Sequence, residues 1–143
     1  MDAIRSGMFI MPFHDLSKPM AQCYDEDLEL IVRAEELGFG EFWIGEHHTM
    51  KYENIVMPEI FIARALGETQ SIRMGPAPVC LQQHHPAHVA SRLAFLDHLS
   101  KGRLSLCFGS GSVTAAQELY GLDPKLGAAM VQEAIEIILY LWK

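Results

Sequence analysis

The sequence predicts an α/β fold in which parallel strands are covered by helices. Three observations carry that prediction. The strand-like runs are short and apolar throughout, the helix-like runs place apolar residues three and four apart, and the two kinds alternate four times. A sheet wet on one face would alternate polar and apolar residues, and these runs do not.

Gly7 to Met11 is a short apolar run closed by Pro12, as expected of a buried strand. From Asp25, residues Leu28, Ile31, Val32 and Leu37 keep helical spacing, with acids in the first turn and Gly38 as the stop. Glu41 to Gly45 gives the second strand. Pro58 opens a second helix, carried by Ile60, Ala63, Arg64 and Gly67 to Thr69, before a third strand around Ile72 to Gly75. Pro86 opens a third helix with a Val89, Leu93 and Leu96 stripe, ended by Ser100 to Gly102. Arg103 to Phe108 is the fourth strand. After the Gly-rich GSGS, a short helix starts at Thr114 with Gln117 as its capping-box partner, and Asp123-Pro124 open a last helix with Met130, Ala134, Ile137, Ile138 and Leu141 on one face. Four such units fit an open doubly wound sheet, and equally half of a (β/α)8 barrel, whose full form needs roughly 250 residues. No linker or low-complexity segment interrupts residues 1–143, which read as one domain.

Composition narrows the function classes. The net charge is −7 and the eleven Lys and Arg residues are scattered, so no basic stripe is available for nucleic acid. A phosphate-bearing ligand would have to be held by local amides, hydroxyls and single arginines. Cys23, Cys80 and Cys107 form no CxxC pair, which argues against a disulfide framework and a structural zinc site and fits a cytoplasmic protein. No apolar run reaches the roughly 18 residues of a membrane span, and no signal-peptide pattern is present.

In parallel α/β folds the C-terminal strand ends share one face, which carries the chemistry. Here strand one is followed by Pro12, Phe13 and His14, strand two by Glu46, His47 and His48, strand three by Ala77, Pro78 and Cys80, and strand four by Gly109, Ser110, Gly111 and Ser112. A histidine pair beside an acid can hold one imidazole in a chosen tautomer while the other meets a ligand. His84 and His88 invite a metal reading, but Pro86 leaves His84 outside the helix and no further ligand completes a known spacing. Capping and packing are expected of these histidines, and no metal site is predicted. Ala77-Pro78 is a candidate cis bond, although trans is the commoner state of prolyl bonds. Cys107, inside an apolar strand, is expected to be buried.

The segments MPFH, LGFGEFWIGEHH, IRMGPAPVCLQQHHP and LDHLSKGRLSLCFGSGS, followed by QELYGLDP, together resemble the luciferase-like flavin-dependent monooxygenases, most closely their limonene-monooxygenase-like branch. The resemblance covers nearly the whole chain and corresponds to the N-terminal half of that family's barrel. It implies a (β/α)8 TIM-barrel fold, here its first four βα units. It also implies reduced FMN supplied by a separate flavin reductase, and O2 activated as a flavin C4a-hydroperoxide that oxidises a small, apolar organic substrate. By the same resemblance His47 is the active-site histidine with Glu46 and His48 beside it. His14, Ala77, Pro78, Gly109, Ser110, Gly111 and Ser112 would contact the cofactor. Bacterial luciferase has a reactive cysteine and a phosphate-reaching arginine where this chain has Gly109 and Ser110, so neither light emission nor that phosphate contact is expected. Strands five to eight would lie after Lys143, so a second copy or a separate C-terminal half is the expected partner. Two competing expectations are an F420-dependent oxidoreductase of the same superfamily and a non-catalytic half-barrel acting as a binding or assembly module.

Overall fold

Three parallel strands organise the chain: β1 (Gly7–Ile10), β2 (Glu41–Ile44) and β3 (Arg73–Pro76), paired in the order β1-β2-β3. The computed structural model describes residues 6–143. In register, Ile10 faces Ile44 and Ile44 faces Pro76, so the three strands end at one level. β2 is the middle strand, and its Phe42 and Ile44 are fully buried.

The third and fourth strands differ from the sequence reading. The third is interrupted at the Ala77-Pro78 bond, which is cis, and resumes as β4 (Val79–Cys80). The fourth pairs along both pieces. Met74 N donates to Arg103 O and Ser105 N to Met74 O, then Val79 N donates to Cys107 O, but only β5 (Phe108–Gly109) is regular strand. Proline supplies no N–H at 76 or 78, so the ladder cannot run unbroken. Gly75 lets the Ser105 carbonyl and the Trp43 ring approach where a Cβ would collide with both. Cys107, in this fourth strand, is exposed rather than buried.

Helices α1 (Met20–Glu36), α2 (Pro58–Ala65) and α3 (Pro86–Ser100) follow β1, β2 and β4. After β5 come the short α4 (Thr114–Tyr120), a 3-10 turn at Pro124–Leu126, and α5 (Gly127–Leu141). The core joins Ile31 of α1, Ile62 of α2, Val89 and Leu93 of α3 and Ile138 of α5 to the strand residues Phe42, Ile44, Met74 and Val79. Each of these side chains is at most 1% exposed, so burial is worth roughly 1.5–3 kcal/mol apiece.

Several faces are turned relative to the sequence reading. Ile60 of α2 is 66% exposed while Ile62 and Ala65 are buried, and on α5 the buried residues are Gly127, Ala134 and Ile138, with Ile137 and Leu141 exposed. Leu37 lies beyond α1 and is also exposed. The expected capping box is replaced as well. Val113 is the N-cap of α4, and Gln117 sends its amide back to the Gly111 carbonyl. Among the described residues no helix is long and apolar enough to cross a membrane.

One exposed loop is fixed by a single carboxylate. Glu35, near the end of α1, accepts from the backbone N–H of Gln70, Ser71 and Ile72 and from the Ser71 hydroxyl, which sets the entry into β3. Burial would raise its pKa, but the N–H groups of Ile72, Ser71 and Gln70 outweigh that and hold it at about 2. A depressed folded pKa means the contribution is full above the ordinary value of 4.5 and is lost as pH falls from there through about 2. Replacing Glu35 with Ala is expected to lower stability at neutral pH by about 1 kcal/mol, reduced from the buried value by solvent screening. Urea denaturation at pH 7 and pH 2 checks this. The difference between the two proteins should shrink at the lower pH.

Candidate active site

At the C-terminal strand ends lies a cleft of about 410 Å³. Its walls come from the end of β1 (Phe9, Met11), the end of β2 (Glu46, His47, His48), the cis Ala77-Pro78 corner with Cys80 and Gln83, and the loop Ser110–Val113 with Ala116 of α4. β2 delivers its three residues together because the strand stops at Ile44, Gly45 N still pairs with Ile10 O, and the chain bends only at His48 and Thr49. His47 N is then tied to Ile55 O.

Glu46 is the hub of the cleft. Its side chain is fully buried; Oε1 accepts from His48 Nε2 at 2.7 Å and His84 Nε2 at 2.6 Å, and Oε2 accepts from the Cys80 N–H at 3.0 Å. Burial raises the pKa of such a group, but the His84 hydrogen bond and charge, then His48 and the Cys80 N–H, prevail and hold it below the ordinary range. The ionised carboxylate acts on its neighbours in turn. Burial, then the field of Glu46, pushes the Cys80 thiol up to about 12, which excludes it as a thiolate nucleophile near neutral pH.

His48 is held at both ring nitrogens. The Tyr120 hydroxyl sits 2.9 Å from Nδ1, and burial and the Glu46 charge raise that phenol's pKa, so the hydroxyl keeps its proton and donates it. The network therefore assigns the His48 proton to Nε2, facing Glu46. His47 is engaged differently. Its Nδ1 lies 3.2 Å from Glu53 Oε2, within ion-pair range but too poorly aligned for a hydrogen bond, so that buried oxygen has no donor. Its Nε2 makes no hydrogen bond among the described residues.

The structure thus brings together Glu46, His47, His48, Ala77, Pro78, Ser110, Gly111 and Ser112. Gly109 lies just outside the lining, packed on the Pro78 ring. His14 is not part of the cleft. It is buried, with Nε2 2.8 Å from Asp27 Oδ2 and Nδ1 2.8 Å from Asn54 Oδ1, and its backbone N donates to Tyr52 O. It ties the loop after β1 to α1 and to the loop after β2. His85 caps α3, as expected of that cluster, but His84 does not merely pack; it belongs to the Glu46 hub. Sequence reasoning missed His84 and Tyr120 as site residues. The position of His84 just past the third strand was a usable signal. Tyr120, 72 residues from its partner His48, carried none.

The comparisons agree with this geometry. Residues 4–143 match the family model described as luciferase-like monooxygenase. The chain belongs to the luciferase-like monooxygenase family. It is 39% identical over 132 residues to limonene 1,2-monooxygenase of Rhodococcus erythropolis, covering 92% of this chain and 34% of that protein. It is 38% identical over 138 residues to 4-hydroxyprotoasukamycin monooxygenase of Streptomyces nodosus subsp. asukaensis, covering 96% of this chain and 37% of that protein. Among solved structures, the oxygenating constituent of 3,6-diketocamphane monooxygenase from Pseudomonas putida, in complex with FMN, superposes with a TM-score of 0.92 at 28% identity, covering 98% of this chain and 40% of that one. The chain spans little more than a third of the length of these curated relatives. The fold is therefore the TIM-barrel fold of luciferase-like monooxygenases, represented here by four of its βα units.

Within the luciferase-like cleft, Gly111 has φ +73°, and a Cβ there would meet Gln83 Nε2 at 2.7 Å and Cys80 Sγ at 3.0 Å. Gly121 has a comparable φ of +65° with open space around it, which isolates the two costs. Gly121→Ala is expected to cost only the left-handed backbone term, about 1–2 kcal/mol. Gly111→Ala adds overpacking of about 1–3 kcal/mol. Chemical denaturation of both variants checks the difference, which should favour Gly121→Ala.

Proposed function

We propose that this chain supplies the flavin-facing half of an FMN-dependent monooxygenase that oxygenates a small apolar molecule. The observation that carries the reading is the convergence of His47, His48, the cis Ala77-Pro78 corner and the Ser110–Ser112 loop on one cleft. The residues fit an isoalloxazine ring. Gln83 Oε1, on the cleft wall, is buried without a donor and could accept from a ring N–H. Phe9, Met11, Val113 and Ala116 supply apolar wall for a substrate. The relative of known structure binds FMN, which supports FMN over F420 for this chain.

When bound, reduced FMN would supply the electrons that activate O2. Ala77, Pro78 and the Ser110–Ser112 amides and hydroxyls would hold it, with Glu46 fixing His48 and the Cys80 backbone as a rigid wall. His47, with Nδ1 turned to Glu53 and Nε2 left for a ligand, is the residue we assign to proton transfer beside the flavin. His48 and Glu46 are positioning residues in this scheme. A reductase would deliver the reduced flavin, and a second copy or further chain would complete the barrel; the cytoplasm suits this reductive supply.

No lysine or arginine is among the cleft's described lining residues, so a flavin phosphate would gain no charged partner here. FMN and riboflavin are accordingly expected to bind with affinities within about tenfold of one another, since one charged contact is worth roughly 1.5–3 kcal/mol. Titration of the purified chain with FMN, riboflavin and F420, read by cofactor fluorescence with sizing of the same samples, tests the proposal. Saturable flavin binding with F420 much weaker supports it. F420 binding in preference to both flavins, or no binding by any assembly of the chain, overturns it.

A further inference from the structure

We propose that Glu46, His48 and His84 form a binding site for one divalent transition-metal ion of the zinc class. The inference concerns this cluster alone and does not rest on the flavin reading. Glu46 Oε1, His48 Nε2 and His84 Nε2 all lie within 4.8 Å of one another, the one group of three such donors among the described residues. Two imidazoles and a carboxylate suit zinc-like ions and leave a further coordination position, and Glu46 and His48 both line the cleft.

The surroundings hold two of the three ligands from behind. Glu46 Oε2 is fixed by the Cys80 N–H, and His48 Nδ1 by the Tyr120 hydroxyl, the kind of outer contacts that orient metal ligands. The donors are already desolvated, with side-chain exposures of 0% for Glu46, 10% for His48 and 9% for His84. Tetrahedral bonds of about 2.0–2.1 Å separate ligand atoms by about 3.3 Å, so each histidine nitrogen would back away from Oε1 by about 0.6 Å. The proton balance closes without a leaving group. His48 moves its proton from Nε2 to Nδ1, where Tyr120 Oη can accept it, and His84 likewise frees Nε2 by carrying its proton on Nδ1. One carboxylate in a chain of net charge −7 favours the cation. A bound ion would occupy both Nε2 atoms and Oε1, replacing the hydrogen bonds that Glu46 now accepts from the two histidines.

The rival metal site is the exposed His85–His88 pair, with ring centroids 5.7 Å apart. Chelator-treated chain is titrated with Zn2+ against a chromophoric competitor at neutral pH, alongside His84→Ala and the double variant His85→Ala/His88→Ala. One equivalent should bind, weakened at least tenfold in His84→Ala and unchanged in the double variant. No saturable binding, or binding that follows His85 and His88, overturns the proposal. If His84→Ala fails to fold, histidine 15N NMR of the unsubstituted chain decides. Zinc should shift Nε2 of His48 and His84 into the metal-bound range, and their staying unshifted at saturating zinc, or a shift of His85 and His88 in their place, would count against the site.

Discussion

A buried carboxylate with three donors organises the strand-end face of this chain. Glu46 binds two imidazoles and one backbone N–H, from His48, His84 and Cys80, and so ties the end of β2 to the segment that follows β4. An isolated buried charge would cost several kcal/mol. With its oxygens satisfied, the same charge becomes the reference for its neighbours: it fixes the His48 tautomer and adds to burial, the larger cause, in raising the Cys80 thiol and the Tyr120 phenol. Removing the carboxylate would leave two imidazoles and an amide unpaired at the floor of the cleft.

A second set of contacts holds the opposite rim. His14 binds Asp27 and Asn54, Phe13 pairs with Glu53 in an isolated antiparallel bridge, and the Phe13 and Tyr52 rings stack at 5.6 Å. These contacts join the loops after β1 and β2. Glu53, drawn into place by that bridge, then stands against His47. The two histidines of the EHH motif therefore serve different ends: His48 belongs to the Glu46 hub, whereas His47 is backed by Glu53 and retains a ring nitrogen for a ligand.

Much of the fold was legible because the strands read as short apolar runs, and Pro58 and Pro86 mark helix starts. The convergence of strand ends followed from parallel topology alone. What could not be read was set by contacts between distant segments. Ile60 and Ile62 are equally apolar, and only the packing of α2 on the sheet decides which is buried. Cys107 sits in an apolar run, yet it is exposed. The sequence suggests His84 with His88, four residues apart, while the fold pairs it with His48 through Glu46. His14 was placed at the cofactor by resemblance, but Asp27 and Asn54 hold it behind the rim.

The central claim is that Glu46 is an ionised, fully satisfied hub. The most direct measurement is the pH dependence of the Glu46 carboxyl carbon in 13C NMR of the folded chain. The account predicts that Glu46 stays ionised through the ordinary glutamate value of 4.5 and takes its proton only below it. Titration at or above that value would mean that burial outweighs the histidines and the Cys80 amide, and would contradict the account.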